Sequence, residues 1–482
     1  MYKKRRYYQH TKTRRGEENS DHNRYIVSKP ILIIVTLLII GIGCYFYWQS
    51  VYAPRGAFES SAAKNNQQGP LIGQTTKQVD CDYFINNATI VDGSGAPPYK
   101  SNIAIKGQEI VAIGSCVPSE KARVIDASGM IVCPGFIDLH THTDDYWEVS
   151  PDGAPALMQG VTTHIVGNCG DSPQNIAAYL QKVDHNAINV GVFVGYKVLR
   201  EAFVRPGHTV TFENITAMQK RLASGIKNGA FGLSLGLSYY PQNQITYQEL
   251  LALAQTTKED NAVMAIHIRS EGDNLISSLR EALKIAEDTG VSLQYNHIKA
   301  SGKANWYKQE QALELFNQAI EQGLDVSGDA YIYTYSSHDL ANDYHSISAD
   351  NIIKVIKNEH VMIASDAGLS ALGKAIHPRA YANHTAFICR YVRDKHILDI
   401  QEAIKKMTSM PAQKLGLTDR GLLAVGKKSD IVVFRLADLK ENATRKNPSQ
   451  LSYGMSYVFV NGALAVDKGK ITGIKAGNAL RR

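Results

Sequence analysis

An α/β fold is predicted: a (β/α)8 TIM-like barrel with a small β-sandwich domain built from both chain ends, preceded by a single N-terminal transmembrane helix. Three observations predict it. Apolar strand-like runs alternate with amphipathic helical patterns eight times within residues 135–419. Short alternating runs broken by Gly and Asn recur at residues 80–134 and 420–482. An uncharged apolar stretch follows a strongly basic start.

Taken in order, residues 1–30 read as a basic cytoplasmic tail, with nine Lys or Arg against three Asp or Glu up to Lys29. Nearly all of the formal charge of +7 sits there, so the folded part is close to neutral. It offers no clustered basic surface for a nucleic acid, and no nucleic-acid partner is expected. Ile31–Trp48, ILIIVTLLIIGIGCYFYW, is about 27 Å long as a helix at ~1.5 Å per residue, enough to cross a bilayer. Residues 31–49 are therefore read as the membrane anchor, with the N-terminus in the cytoplasm and the remainder outside it, periplasmic or extracellular. No small-residue cleavage site follows promptly, which favours an uncleaved anchor over a signal peptide. Residues 50–79, rich in Ala, Gln, Asn, Ser and Gly, read as a flexible linker. Six cysteines imply no disulfide framework, although Cys81 and Cys116 could pair in an oxidising compartment.

The strands read from the sequence are Phe136–His142, Val161–Gly167, Val190–Tyr196, Ala230–Gly236, Ala262–Arg269, Val291–Ile298, Leu324–Tyr331 and Val361–Ala367. Segments such as NLISSLREALKIAEDTG between them repeat apolar residues at helical spacing. A doubly wound open sheet is the rival that strand counting leaves open.

In GFIDLHTHTDDYW, a strand directs His140 and His142 to one face, where two neutral imidazoles suit a metal ion. A barrel places functional side chains at the C-terminal ends of its strands. At those ends stand His140 and His142, Cys169, His267, His297 and Asp366, all metal-ligand types.

The motifs GFIDLHTHTD, GNCGDSP, AIHIRSEGD, YNHIKASG, IASDAG, HPRAY and MTSMPAQKLGL, followed by VNGALAV and GKITG, closely resemble the N-acyl-D-amino-acid deacylases of the amidohydrolase superfamily from about residue 80 onward. The resemblance implies that Cys169, His267 and His297 hold one zinc tightly, with His140, His142 and Asp366 around a second, weaker position or the catalytic water. Three protein ligands leave zinc an open position for water. Asp366 would then accept the water's proton and return it to the leaving amine. By the same resemblance, Lys299, Tyr331 and Arg379 hold the substrate carboxylate, and the substrate is a small N-acylated D-amino acid or short peptide.

This chain departs from the family pattern at Tyr196, Leu235, Ile332 and Ala382, positions expected to line the strand ends and to bear on substrate preference. The path from Tyr331 to Val361 is also short, which suggests a more open pocket mouth. A dipeptidase or cyclic-amide hydrolase of the same superfamily would share every ligand. A catalytically silent, membrane-anchored binding protein would have lost ligands, and all six are present.

Overall fold

Each of the eight expected barrel strands forms, and the ladders between them are parallel. The computed structural model describes residues 78–337 and 345–482, so the tail, the apolar run at 31–49 and most of the linker lie outside the described residues. Among the described residues, no helix is long and apolar enough to cross a membrane.

The first strand runs Phe136–Asp138 and resumes at Thr141–His142, rather than continuing unbroken to His142. Its start is set by Gly135, where a Cβ would lie 2.2 Å from Thr162 Oγ1 on the second strand, Val161–Val166. The eighth strand is split in the same way, into Val361–Ile363 and Ala367–Gly368. The two later pieces pair with each other, Ala367 opposite Thr141 and Gly368 opposite His142. The Asp366 amide donates to the His140 carbonyl at 2.9 Å, and the Ser365 amide to Asp138 Oδ1 at 3.0 Å. The strands therefore close into a barrel, which excludes the open sheet.

The expected helices lie between the strands. Leu275–Thr289 buries Leu275, Leu279, Ala282, Ile285 and Ala286, a stripe at three- and four-residue spacing, against the barrel. It ends at Gly290, whose φ of 67° lets its N–H reach back 2.7 Å to the Ala286 carbonyl. Inside the barrel, Ile137, Leu139, Ile165, Phe193, Phe231 and Val263 form an apolar plug that extends to Ala412 and Leu415.

The two chain ends meet in one nine-stranded sheet, in which Ile431–Phe434 pairs with Ile131–Pro134, Val432 opposite Cys133. It is a single sheet, where the sequence suggested a sandwich of two. Strand Tyr83–Ile90 changes register between Ile85 and Ala88 and bonds to three neighbours, and this lets one bent sheet wrap a core of Ile85, Ile105, Ile125, Val433 and Phe459. The final residues also depart from the expected division. Gly477, Asn478 and Leu480 make backbone hydrogen bonds to Asn186 and Val190, and Leu480 joins the barrel plug. Cys81 and Cys116 are buried free thiols in one small apolar cluster.

A buried polar junction ties the sheet to the barrel. Arg420 and Asp430, each 4% exposed, form an ion pair. Asp430 also accepts from Asn189 Nδ2 at 3.0 Å and from the Asn461 amide at 2.7 Å. Removing Asp430 strips Arg420 of its buried counter-ion and leaves it only the half-exposed Asp419. Asp430→Ala is expected to lower the unfolding free energy by about 3–5 kcal/mol in urea titration, whereas loss of the exposed partner in Lys182–Glu148, by Lys182→Ala, is expected to cost at most about 1 kcal/mol.

Candidate metal centre

The six expected ligands meet at the C-terminal mouth of the barrel. Cys169 comes from the turn after the second strand, where Gly167, Cys169 and Gly170 have φ of 76°, 50° and 84°. A Cβ on Gly170 would fall 1.8 Å from Gln242 Oε1, and Gln242 Nε2 donates to the Cys169 carbonyl at 2.9 Å. The turn is therefore pinned with the sulfur facing inward. Cys169 Sγ lies 3.4 Å from His140 Nε2, 3.9 Å from His267 Nδ1 and 4.0 Å from His297 Nε2. Asp366 Oδ1 lies 3.1 Å from His142 Nε2 and 3.6 Å from His140 Nε2.

The ligand atoms of His140, Cys169 and His297 lie within 4.8 Å of one another, as do those of His140, His142 and Asp366, and those of His267, Glu271 and His297. The trio of His140, His142 and Asp366 is the one the resemblance implies for the weaker position, while the sulfur approaches His140 more closely than His267 or His297. It sits between the first strand's histidine and the pair from the fifth and sixth strands. Cys169, His297 and Asp366 all hold left-handed backbone, with φ of 50°, 37° and 52°. Such geometry costs of order 1–3 kcal/mol for a residue with a Cβ and persists where surrounding structure enforces it.

Burial by itself pushes the Cys169 thiol up, but the His140 imidazole beside it outweighs this and holds it well below the usual thiol range. Burial likewise opposes the charged form of Asp366, and Arg379 with His142 brings it well below the carboxylate range. Burial works against a charged His142, yet its bond to Asp366 raises it to about 10. A soft sulfur and three imidazoles, all buried and facing one another, form a donor set that fits zinc.

Two carboxylates that sequence reasoning missed complete the site. Asp329 Oδ1 lies 3.1 Å from His140 Nδ1 and accepts from the His297 amide at 2.8 Å. Glu271 Oε1 lies 2.7 Å from His297 Nδ1 and 2.7 Å from Lys299 Nζ. A carboxylate on the far ring nitrogen fixes which nitrogen faces a metal. Their signal was present in AIHIRSEGD, four residues past His267, and in GDAYIY, two residues before Tyr331, but neither follows a ligand spacing.

Of the expected carboxylate holders, Arg379 Nη1 lies 2.8 Å from Asp366 Oδ2, out of line for a hydrogen bond, and Nη2 donates to Ser337 Oγ at 2.7 Å. Its guanidinium stacks 4.6 Å above the Tyr331 ring. Arg379 Nε and the Tyr331 hydroxyl are buried without hydrogen-bond partners among the described residues. Lys299, Tyr331 and Arg379 line one cavity of about 730 Å³ together with His142, His267 and Asp366. The four departures do not line it. Tyr196 instead opens helix Tyr196–Phe203 and donates to Glu249 at 2.6 Å, and Leu235 lies in the main core. The Ile332 amide donates to Asn383, and Ala382 is buried in helix Arg379–Phe387. Ser336 and Ser337 reach the cavity, while the next stretch of the shortened path, 338–344, lies outside the described residues.

Residues 131–472 match the Amidohydrolase family, and the chain belongs to it as a metal-dependent hydrolase of amide bonds. Within that family it is 31% identical over 458 residues to an N-acyl-D-glutamate deacylase of Alcaligenes xylosoxydans xylosoxydans, covering 80% of this chain and 93% of the relative. The crystal structure of an N-acyl-D-glutamate deacylase from Bordetella bronchiseptica, with zinc and a phosphonate inhibitor, matches with a TM-score of 0.77 at 29% identity, over 84% of this chain and all of that one. A D-aminoacylase structure with a binuclear metal centre matches at 0.78 and 27% identity, over 83% of this chain and all of that one.

Glu271→Gln is expected to weaken zinc binding about 10–100-fold, read by competition with a chromophoric chelator.

Proposed function

We propose that this chain is a zinc-dependent deacylase that hydrolyses the amide of N-acyl-D-amino acids to a carboxylate and a free D-amino acid. The observation that carries the reading is the convergence of Cys169, His140, His267 and His297 beside Asp366, with His267, His297 and Asp366 lining one cavity. The likeness to N-acyl-D-amino-acid deacylases supports the substrate class and its stereochemistry. Cys169, His267 and His297 would hold the tighter zinc, and His140, His142 and Asp366 a second, weaker one. When bound there, zinc would supply a water ionisable near neutral pH and polarisation of the scissile carbonyl.

The chain's own groups do the rest. Asp366, kept ionised by Arg379 and His142, takes the proton of the attacking water and delivers it to the amide nitrogen, which leaves as a neutral amine. The unpartnered Arg379 Nε and Tyr331 hydroxyl, with Lys299, receive the substrate carboxylate, and the planar guanidinium suits that shape. Glu271 and Asp329 hold His297 and His140 in orientation.

Residues 80–134 and 420–482 are proposed as the β domain, with the last residues lent to the barrel at 135–419. Residues 31–49 are proposed as a single-pass anchor that leaves the catalytic part outside the cytoplasm. A reporter fused at residue 60 is expected to be active only outside it.

Turnover of N-acetyl-D-amino acids by the zinc-loaded enzyme, set against their L-isomers, dipeptides and hydantoins, tests the reading. The D-series is expected to lead, and hydantoin or dipeptide turnover alone would refute it. Asp366→Asn is expected to lower kcat by about 10²–10⁴ while the protein still binds zinc. Arg379→Ala is expected to raise KM at least tenfold, a loss of ~1.4 kcal/mol or more, and an unchanged KM would remove the clamp.

A further inference from the structure

The charges around the cavity decide what a substrate side chain meets there. Three Lys or Arg side chains line it among the described residues, and each already faces a carboxylate. Arg269 grips Glu281 with two prongs, Nε and Nη2, both at 2.9 Å. Lys299 pairs with Glu271 at 2.7 Å and Arg379 with Asp366 at 2.8 Å. The last two are the groups assigned above to the substrate's α-carboxylate. With those two taken by the α-carboxylate, a second carboxylate meets only Arg269 among the described Lys and Arg of the lining, and Glu281 with the Asn243 and Ile245 carbonyls already holds it.

Asp273 is in the opposite position. It lines the same cavity, is exposed, and makes no ion pair among the described residues. Its Oδ1 accepts from Asn305 Nδ2 at 3.0 Å. The neighbouring Lys308 ammonium turns to the Asp273 backbone carbonyl, at 2.8 Å, and to Asn305 Oδ1. Asp273 stands two residues beyond Glu271, which holds Lys299, so one short loop carries both the counter-ion of the clamp and this unmatched charge. The cavity, at about 730 Å³, has room for a long side chain beside the backbone of an N-acyl amino acid.

Resting on the deacylase reading, we propose that the side-chain subsite selects N-acyl-D-amino acids with a cationic side chain, that Asp273 sets this preference, and that a second carboxylate is rejected. A cleft lined by one sign of unmatched charge raises the local concentration of the opposite sign and repels its own. The preference thus runs against the acidic substrate named for the deacylase that is 31% identical to this chain.

The test compares kcat/KM of the zinc-loaded full-length chain for N-acetyl-D-lysine, N-acetyl-D-leucine and N-acetyl-D-glutamate, in the natural protein and in Asp273→Asn and Asp273→Lys. Lysine is expected to exceed glutamate by about tenfold or more. The ratio is expected to narrow several-fold in Asp273→Asn and to invert in Asp273→Lys. Glutamate turned over as well as lysine by the natural protein, or a ratio that Asp273→Lys leaves unmoved, would overturn the inference and leave the deacylase reading standing. Turnover of none of the three with zinc bound would overturn both.

Discussion

The seam between the first and eighth strands governs everything built at the barrel mouth. Both strands break before their ends, and the later pieces pair again, so that the Asp366 amide bonds to the His140 carbonyl. That backbone pairing carries a carboxylate from one end of the domain to the two histidines at the other, 226 residues from His140 and 224 from His142 in sequence. An open sheet would leave its edge strands unpaired and these three residues apart.

Once the seam is closed, the site is crowded with groups that oppose burial. Cys169, three imidazoles and Asp366 lie in a low-dielectric space, where an uncompensated charge is costly. Each is compensated by another, His140 by Asp329 and Cys169, and Asp366 by Arg379 and His142. The left-handed backbone at Cys169, His297 and Asp366 belongs to the same pattern. Local strain is accepted where it aims a donor at the common centre. A divalent cation is the natural partner for such an arrangement, because it satisfies sulfur, nitrogen and carboxylate together.

Glu271 links two functions that are otherwise separate. The same carboxylate oxygen approaches His297, a proposed metal ligand, and Lys299, a proposed holder of the substrate. A change at the clamp is thereby felt by the ligand's ring orientation, and the reverse. Arg379 plays a similar part on the other side, since it faces both Asp366 and the cavity. The polar groups are coupled in pairs across the pocket, so the charge they leave over, at Asp273, bears on the choice of side chain.

The eight apolar runs, the amphipathic helices between them and the metal-ligand residue types at the strand ends were legible without coordinates. They depend on periodicity and residue chemistry, which are local properties. The barrel's closure was not, because two strands distant in sequence had to find each other through a backbone pairing that no pattern encodes. For the same reason a sandwich was read where one bent sheet stands. The bulge between Ile85 and Ala88 that bends it is a register shift against a partner strand. Glu271 and Asp329 were passed over because a carboxylate supporting a histidine needs only to be near in space. Tyr196 was expected at the mouth, yet the chain turns into a helix there and directs the ring to Glu249. Residue types and element order thus came from the sequence by itself, whereas the neighbours of each charged group were decided only in the tertiary structure, since partners and burial arise from contacts between distant segments.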